Sequence, residues 1–328
     1  ARRCLWWRRS GPLSDVNDNP FEQALEQNAV TILDGGLATE MEAQGHDIDG
    51  NLWSARMLIA NPQAIVDAHL AYLEAGAQCV ITASYQASYK SLAEAGVPAD
   101  VMDKVMASSV ELAVKARQEF LESHPGIGYM PFVAASVGPY GAALNNGAEY
   151  TGVYDTDEQG LRDFHGPRLE ILDASAADVL AVETIPNAAE AAVLCDMLKR
   201  CKTPAWISFC CRDGERLSDG TLLRDSAALF ADHPRVRALG INCTSPEFVT
   251  NLIGEIRRAA PDKAIVVYPN SGETYESASN TWHGTVSPVE CADASQEWRA
   301  AGATLIGGCC RRGPQHIAAI KRQLAANQ

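Results

Sequence analysis

Short apolar runs rich in β-branched residues recur along this chain, and segments with helical spacing of apolar residues separate each run from the next. Most of the runs are apolar throughout, which is typical of parallel strands that are buried on both faces. Eight strand–helix units in 328 residues predict a single α/β domain, a (β/α)8 barrel of the TIM type. The predicted strands are residues 30–34, 79–84, 132–137, 178–183, 205–210, 238–243, 264–268 and 303–307.

The clearest helix signals stand between the first two predicted strands. Asn61 precedes Pro62, and apolar residues then follow at three- and four-residue spacing as far as Gly76. An Asn cap before a first-turn Pro begins a helix, and a Gly ends it. The corner at 75–77 (Ala-Gly-Ala) returns at 301–303, which predicts that both helices turn into the next strand in the same way.

The main rival fold is a doubly wound sheet that binds a dinucleotide. Such a fold places G-x-G-x-x-G directly after its first strand, whereas the sequence here is DGGLATE at 34–40. The phosphate-binding pattern GxxxxGK[ST] is also missing from the sequence. Neither a dinucleotide nor a nucleoside triphosphate is therefore expected as a ligand.

The N-terminal residues differ in composition from the rest of the chain. The first twenty contain four Arg and two Trp and then a run rich in Gly, Pro, Asp and Asn. Their apolar stretch at 5–7 is shorter than the roughly 7 residues that a secretory signal needs. We expect residues 1–27 to be a disordered leader or an artefact of the gene start, with a targeting role as the alternative, and residues 28–328 to form the barrel.

Charge and hydropathy exclude two classes of partner. The chain has 27 basic and 41 acidic residues, a formal charge of 27 − 41 = −14, whereas binding to nucleic acid needs clustered Lys and Arg. No apolar run approaches the roughly 18 residues of a membrane-spanning helix. We expect a cytoplasmic, monomeric protein that acts on small molecules.

Cysteine is the residue type that most suggests chemistry. A long chain with ample core-forming residues does not need the disulfide framework of small secreted domains, so most of its cysteines are expected to be buried apolar residues and a few to serve metal or thiol chemistry. The ten cysteines lie at positions 4, 79, 195, 201, 210, 211, 243, 291, 309 and 310.

The residues that end the predicted strands indicate which cysteines those few are. Active sites of barrels lie at the carboxyl ends of the strands, where this chain places Asp34, Glu183, Cys243, Cys309 and Cys310. Three thiolates from two nearby strand ends suit a zinc ion with one open position. The glycines before Cys309 allow the backbone to leave strand geometry, so that both adjacent cysteines reach one metal.

Each of these residues also has a purely structural interpretation. Any single cysteine here is more often buried and inert, and we expect packing for Cys210 and Cys211, which continue an apolar run. Asp34 is part of a turn signal and would cap that turn. Glu183 ends an apolar strand and would be desolvated without a partner, so a cationic ligand group suits it better.

The histidines and tryptophans give weaker signals. His165 and His283 do not have the spacing of a two-histidine metal site, so a surface or hydrogen-bonded structural role is expected. The tryptophans outside the N-terminal segment are expected to pack in the core or at the rim. They are Trp53, Trp206, Trp282 and Trp298.

Several motifs, in order along residues 28–322, resemble the homocysteine S-methyltransferase family. The motifs are DGGLATE at 34–40, SVGPYG at 136–141, GINC at 240–243 and GGCC at 307–310. A second set is most similar to the branch that uses S-methylmethionine or S-adenosylmethionine. It comprises ITASYQAS at 81–88, LSDGT at 217–221 and VVYPNSGE at 266–273.

The resemblance implies a fold, a cofactor and site residues. Members of this family are zinc-dependent (β/α)8 barrels, and their three zinc cysteines fall on Cys243, Cys309 and Cys310. The acidic residues that hold the α-amino group of homocysteine fall on Asp34 and Glu183. Asn242, Ser84 and Tyr85 would line the amino acid pocket.

The implied reaction transfers a methyl group from a sulfonium donor to the homocysteine thiol and gives methionine, a step of methionine biosynthesis. A free thiol is only a few per cent thiolate at neutral pH, and a bound zinc ion would lower its pKa. The donor is positively charged, so an acidic barrel mouth and the faces of Tyr85, Tyr140 or a Trp would favour its binding.

Three alternatives stay open from the sequence. Betaine is a possible donor, whereas a folate donor usually accompanies a cobalamin module for which this chain has no room. A selenium acceptor, selenocysteine or selenohomocysteine, would bind the same metal. In a third interpretation, Cys309 and Cys310 form a non-catalytic redox or zinc-storage element, which would leave Asp34 and Glu183 without a role.

Overall fold

Eight parallel strands form a barrel in the computed structural model, which describes residues 19–27, 30–48, 53–272, 274–276, 281–283 and 287–326. The barrel strands follow the order β1-β10-β7-β6-β5-β4-β3-β2, each parallel to its neighbours, as the sequence predicts. They are β1 (Thr31–Ile32), β2 (Cys79–Ile81), β3 (Phe132–Val137), β4 (Val179–Ile185), β5 (Ala205–Phe209), β6 (Val236–Asn242), β7 (Ala264–Tyr268) and β10 (Leu305–Ile306).

The barrel closes at a seam between β1 and β2, where side chains take part in the hydrogen bonding. The Gln78 main-chain N–H donates to the carbonyl of Ile32 at 2.7 Å, and the Ile32 N–H donates to the Gln78 side chain at 3.0 Å. The Ile81 N–H donates to Asp34 Oδ2 at 2.7 Å. A carboxylate thus satisfies a strand N–H at the seam, which gives Asp34 a structural contact.

Helices cover the outside of the barrel, and the predicted signals bound several of them. Asn61 caps α4 by accepting from the Ala64 N–H, and Gly76 ends it with a φ of 102°. Gly302 ends α12 with a φ of 114°, so the two predicted corners do turn alike. The helices are α1 (Pro20–Glu26), α2 (Leu37–Ala43), α3 (Trp53–Ala60), α4 (Pro62–Ala75), α5 (Tyr89–Glu94), α6 (Met102–Ser123), α7 (Ala148–Thr151), α8 (Glu158–Asp173), α9 (Ala188–Leu198), α10 (Leu223–Ala228), α11 (Pro246–Ala259), α12 (Pro288–Ala301) and α13 (Pro314–Ala325).

Side-chain alternation along the strands divides the core into two layers. On β3, Phe132 and Ala134 belong to the cluster inside the barrel, whereas Val133 and Ala135 pack outwards with the helices. The same period carries Ser136 on β3 and Glu183 on β4 into the barrel interior near the carboxyl ends of the strands. The pleat therefore determines which polar side chains point inwards.

The observed strands agree with the predicted ones in number and order, and β3 and β7 agree in both bounds. A further antiparallel pair, β8 (Thr274–Glu276) and β9 (Thr281–His283), was not predicted. It follows β7 directly and stands outside the barrel sheet. The backbone of His283 lies in this pair, but its side chain and those of Trp53 and Trp282 lie outside the described residues.

The expected boundary at residue 28 is wrong, because the N-terminal helix α1 belongs to the barrel. Asn19 caps this helix and also donates to the Asp178 carbonyl at 2.9 Å. Phe21 is fully buried, with its ring centroid 5.4 Å from that of Phe132 and 6.0 Å from that of Trp206. Residues 1–18 of the predicted leader lie outside the described residues.

The structural roles expected for the tryptophans and for His165 are confirmed where their side chains are described. Trp206 and Trp298 are fully buried, and His165 is a buried, hydrogen-bonded residue. Among the described residues, none of the helices combines the length and the apolar character that crossing a membrane requires.

Candidate active site

Three cysteine sulfur atoms meet at the carboxyl ends of β6 and β10. The sulfur atoms of Cys243 and Cys309 are in direct contact, with Cα atoms 5.8 Å apart, and Cys310 Sγ lies 3.9 Å from Cys309 Sγ. All three sulfur atoms lie within 4.8 Å of one another. Within the described residues this is the one group of three or more His, Cys, Asp or Glu side chains close enough to share a metal ion.

The backbone around the cysteines departs from strand geometry, as the glycines predict. β10 ends at Ile306, before the Cys309-Cys310 pair, so the alternation of a strand does not apply to the pair. Gly307 packs so closely on β1 that a Cβ would lie 2.7 Å from the Asp34 carbonyl oxygen. Cys243 has a φ of 47°, a left-handed conformation that is rare outside glycine, directly after β6 ends.

A pair of buried carboxyl groups lies within the same end of the barrel. Glu183 accepts hydrogen bonds from the Ser136 and Tyr268 hydroxyls, and burial raises its pKa to about 7. Asp34 is also fully buried, and its pKa is raised well above the ordinary range by burial and by the nearby charge of Glu183. Asp34 Oδ1 has no hydrogen-bond partner, so the pair is suited to a cationic group.

A cavity of about 220 Å³ lies between the cysteines and the Glu183 carboxyl group. The lining includes Glu183, Tyr268 and all three cysteines of the cluster, and Gly35 next to Asp34. None of the described lining residues is basic, whereas two of them, Glu149 and Glu183, are acidic. The cavity therefore favours positively charged ligands.

Comparison with known proteins identifies the family. The family model described as homocysteine S-methyltransferase matches residues 31–324. The chain belongs to the homocysteine S-methyltransferase family. It is 46% identical over 306 residues to the homocysteine S-methyltransferase of Escherichia coli, with 93% of this chain and 98% of that protein covered. A Bacillus subtilis homocysteine S-methyltransferase is 42% identical, with 92% of this chain and 96% of that protein covered.

Solved structures of this family have the same fold. The crystal structure of the E. coli homocysteine methyltransferase MmuM in a metallated form superposes with a TM-score of 0.83 at 43% identity, covering 93% of this chain and 100% of that chain. An oxidized form of the same E. coli protein also superposes with a TM-score of 0.83. The family resemblance and the barrel fold expected from the sequence are both confirmed.

Three residues were expected to line the amino acid pocket of this homocysteine S-methyltransferase family member. Tyr85 lines the cavity, whereas Ser84 and Asn242 do not. Ser84 is buried and donates to the Ser136 carbonyl at 2.7 Å. Asn242 is fully buried, with both ends of its amide bonded to Thr184 at 2.7 Å. Contrary to expectation, Ser84 and Asn242 do not line the cavity, because their polar atoms are bonded within the protein. Asn242 instead holds Thr184, whose left-handed φ of 60° falls at a register irregularity in β4.

Cys210 and Cys211 are packed, as expected. Both are buried, and burial raises the pKa of the Cys210 thiol to about 12. The Cys210 sulfur lies 3.5 Å from the Cys243 carbonyl oxygen and so contacts the main chain of the cysteine cluster.

Sequence reasoning missed two cavity residues, Glu149 and Tyr150. Both lie on the short helix α7, in the loop between β3 and α8, and not at the end of a strand, where barrel sites are expected. The one sequence signal was a Glu-Tyr pair framed by Gly147 and Gly152, which both adopt left-handed conformations.

Sequence reasoning also missed the polar network behind the cavity. Glu190 accepts from the Tyr154 hydroxyl at 2.9 Å and lies 2.8 Å from His165 Nε2. Arg168 donates to the carbonyls of Ser84, Tyr85 and Gly138 at 3.0 to 3.2 Å. These buried groups fix the loops after β2 and β3.

Proposed function

We propose that this chain transfers a methyl group from a sulfonium donor to the thiol of L-homocysteine, with a zinc ion held by Cys243, Cys309 and Cys310. The observation that carries this proposal is one cavity lined by three converging sulfur atoms and adjoined by a buried carboxyl pair. Family membership supports homocysteine as the methyl acceptor.

The donor set fits zinc. Thiolate sulfur is the preferred ligand of zinc, and three protein ligands leave a fourth position for a substrate, as catalytic zinc sites require. The metallated crystal form of the E. coli relative is consistent with a metal here. When bound, zinc supplies the Lewis acidity that lowers the pKa of a substrate thiol toward neutral pH.

The carboxyl pair would bind the α-ammonium group of homocysteine. Asp34 Oδ1 is buried without a partner, and Glu183 carries a pKa raised to about 7 by its burial. A cation placed between the two groups would stabilise their ionised forms and so offset the free-energy cost of desolvation, which raises both pKa values. The acceptor would then be anchored at its amino end while its thiol reaches the cysteine cluster.

A cationic donor agrees with the lining of the cavity. Its described lining has acidic but no basic side chains, and the aromatic ring of Tyr85 is available for cation–π contact. The second set of sequence motifs favours S-methylmethionine or S-adenosylmethionine over betaine, a zwitterion whose methyl groups are also carried by a positively charged atom. Because all three donors carry the methyl group on a positively charged centre, the donor must be assigned by assay.

The deciding experiment combines zinc analysis with a methyl-transfer assay on the purified protein. Homocysteine is offered separately with S-methylmethionine, S-adenosylmethionine or betaine, and methionine is measured. We expect about one zinc per chain and methionine formation with a sulfonium donor. Transfer from betaine alone would overturn the donor assignment, and bound zinc without transfer from any donor would favour a selenium acceptor or the non-catalytic zinc interpretation.

The expected monomeric state and cytoplasmic location stay predictions. Size-exclusion chromatography with light scattering checks the former, and fractionation of the source cells checks the latter.

A further inference from the structure

The cavity lining has two acidic residues, Glu149 and Glu183. Glu183 is proposed to bind homocysteine, whereas Glu149 has no role in the proposed function. Helix α7 carries it into the cavity from the long loop between β3 and α8. The loop is well anchored there: a Cβ at Gly141 would lie 2.5 Å from the Glu149 main-chain nitrogen, and Asn187 donates to the Gly152 carbonyl at 3.2 Å. The position of Glu149 is thus set by the fold.

The Glu149 side chain is partly buried, and its carboxylate makes no ion pair and no hydrogen bond with any other described residue. Its Oε2 atom is buried and makes no hydrogen bond, and burial raises the pKa of the group. None of the described residues that line the cavity offers it a basic partner. A ligand that brings a positive charge would relieve this desolvation, whereas a neutral ligand would not.

Glu149 lies beside the cysteine cluster in the cavity lining. Its neighbour in the chain, Tyr150, hydrogen-bonds to the Cys310 sulfur, and both residues line the cavity. The charges of Glu149 and Glu183 both raise the pKa of the Tyr85 phenol and of the Cys310 thiol, which burial raises most, and Glu149 has the larger effect of the two on each group. Glu149 is therefore well placed to meet a positive charge between Tyr85 and the cysteine cluster.

In-line methyl transfer fixes where the donor sulfur must be. The thiolate sulfur of homocysteine forms the new bond to the methyl carbon, and the electron pair of the breaking bond goes to the donor sulfur. That sulfur leaves as a neutral thioether. It must therefore lie one methyl group away from the acceptor sulfur, beside the cysteines.

We propose that the Glu149 carboxylate binds the sulfonium centre of the methyl donor. The inference rests on the proposed function and names the residue that makes the site selective for a cationic donor. Because the sulfonium loses its charge during transfer, attraction to Glu149 is stronger in the bound donor than in the transition state. Glu149 accordingly favours donor binding and does not accelerate the chemical step.

The test compares the zinc-loaded enzyme with its Glu149→Gln variant, which keeps the size of the side chain and removes its charge. We expect the KM for S-methylmethionine to rise about 10-fold, in line with the loss of one partly buried charge pair. The KM for homocysteine, the zinc content and kcat should stay within about twofold of wild type. Glu297→Gln, an exposed carboxylate on α12, is the matched control and should change none of these values.

A neutral probe separates charge from shape. In 2-amino-5-methylhexanoic acid, carbon replaces the sulfonium sulfur, and its inhibition constant against S-methylmethionine should be the same for wild type and Glu149→Gln. Equal weakening of both ligands would mean that Glu149 acts through packing, and an unchanged KM for S-methylmethionine would mean that it does not contact the donor. Either result would overturn this inference and leave the proposed function intact.

Failure of the proposed function gives a different result. If wild-type enzyme transfers no methyl group from any sulfonium donor, the proposed function and the role of Glu149 fail together. Isothermal titration of S-methylmethionine into each zinc-loaded protein gives a second measurement that does not depend on turnover. There we expect about 10-fold weaker binding to Glu149→Gln and an intermediate value for Glu149→Asp, which keeps the charge on a shorter side chain.

Discussion

The Arg168 guanidinium donates a 3.1 Å hydrogen bond to the main-chain carbonyl of Tyr85, directly behind the ring that lines the cavity. The same guanidinium holds the carbonyl of Gly138 at 3.0 Å, so it joins the ends of β2 and β3. Gly138 allows this close approach, since a Cβ there would lie 2.4 Å from the Tyr85 carbonyl oxygen. Arg168 thus positions Tyr85 without touching a ligand.

The substitution Arg168→Lys keeps the positive charge and removes the guanidinium hydrogen bonds, so it tests whether those bonds position Tyr85. Burial lowers the pKa of Arg168 to about 10, so it remains charged at neutral pH, as a lysine would. An ammonium lacks the planar fork that reaches three carbonyls, so we expect a loss of about 2 to 4 kcal/mol in the free energy of unfolding. The KM for the donor should rise more than kcat falls, as measured by steady-state kinetics and urea unfolding.

Arg162→Lys is the control for this substitution. It lies on the same helix α8 in exposed ion pairs with Glu158 and Asp196, which contribute little to stability. An Arg168→Lys protein with wild-type stability and wild-type KM would show that the three hydrogen bonds do not hold the cavity wall.

Glu183→Gln should change how stability depends on pH. The pKa of Glu183 in the folded chain is about 7, above its unfolded value of 4.5, so the folded state holds the extra proton between these pH values. The stability due to Glu183 is complete below pH 4.5 and is lost as pH rises through 7. The free energy of unfolding of wild type should therefore fall between pH 5 and pH 8 by up to about 3 kcal/mol relative to that of the variant, because the amide of the variant cannot ionise in its buried position.

Urea unfolding of the ligand-free proteins at pH 5 and pH 8 measures this change. The exposed carboxylate variant Glu297→Gln should show the same difference from wild type at both pH values. A Glu183→Gln protein whose stability relative to wild type is independent of pH would contradict the raised pKa. The same variant should bind homocysteine poorly, since it lacks the charge proposed to hold the ammonium group.

Replacement of a cluster cysteine should remove metal and activity together. Cys243→Ser and Cys309→Ser each lose one of three converging sulfur atoms, and we expect zinc well below one equivalent and a loss of at least about 100-fold in kcat/KM. Cys195→Ser, whose sulfur contacts the Leu229 carbonyl on the outside of the barrel, should keep both. Turnover by a zinc-free variant would contradict the proposed role of the cluster.

Removal of the metal provides a test without mutation. Dialysis of wild-type protein against a chelator and a thiol reductant should abolish methyl transfer, and added zinc should restore it. Activity that survives complete removal of zinc would exclude zinc as the cofactor.

The sequence predicted the rim of the barrel well, because the carboxyl ends of parallel strands face one end. This rule predicts that Asp34, Glu183 and the cysteine cluster lie at one end of the barrel, and in the structure Glu183 and the three cysteines line one cavity while Asp34 is buried next to the lining residue Gly35. It could not decide where each side chain points. Ser84 and Asn242 also lie near the carboxyl ends of strands, yet hydrogen-bond partners more than 50 residues away in the chain hold their side chains away from the cavity.

Loop residues escaped prediction for a physical reason. Glu149 reaches the cavity from the long loop between β3 and α8, and contacts with distant parts of the chain, such as the hydrogen bond from Asn187 to the Gly152 carbonyl, fix the path of that loop. Helix α1 escaped for a related reason, since 7 residues are too few to show a helical period and an isolated helix of this length is unstable in water. Helix α1 is stabilised by packing of Phe21 against Phe132 and Trp206, residues more than 100 positions away in the chain that local sequence patterns cannot identify as its partners.

Phe21→Ala tests whether α1 is part of the barrel. The Phe21 ring fills the amino-terminal end of the barrel interior against Phe132 and Trp206, so its truncation should leave a cavity there. We expect a loss of about 3 to 5 kcal/mol in the free energy of unfolding, measured by urea denaturation. Val289→Ala, which removes an exposed apolar side chain on α12, should stay within about 0.5 kcal/mol of wild type. Because the active-site cavity lies at the opposite end of the strands, both variants should keep the wild-type KM values, and a loss below about 1 kcal/mol for Phe21→Ala would show that α1 does not stabilise the barrel.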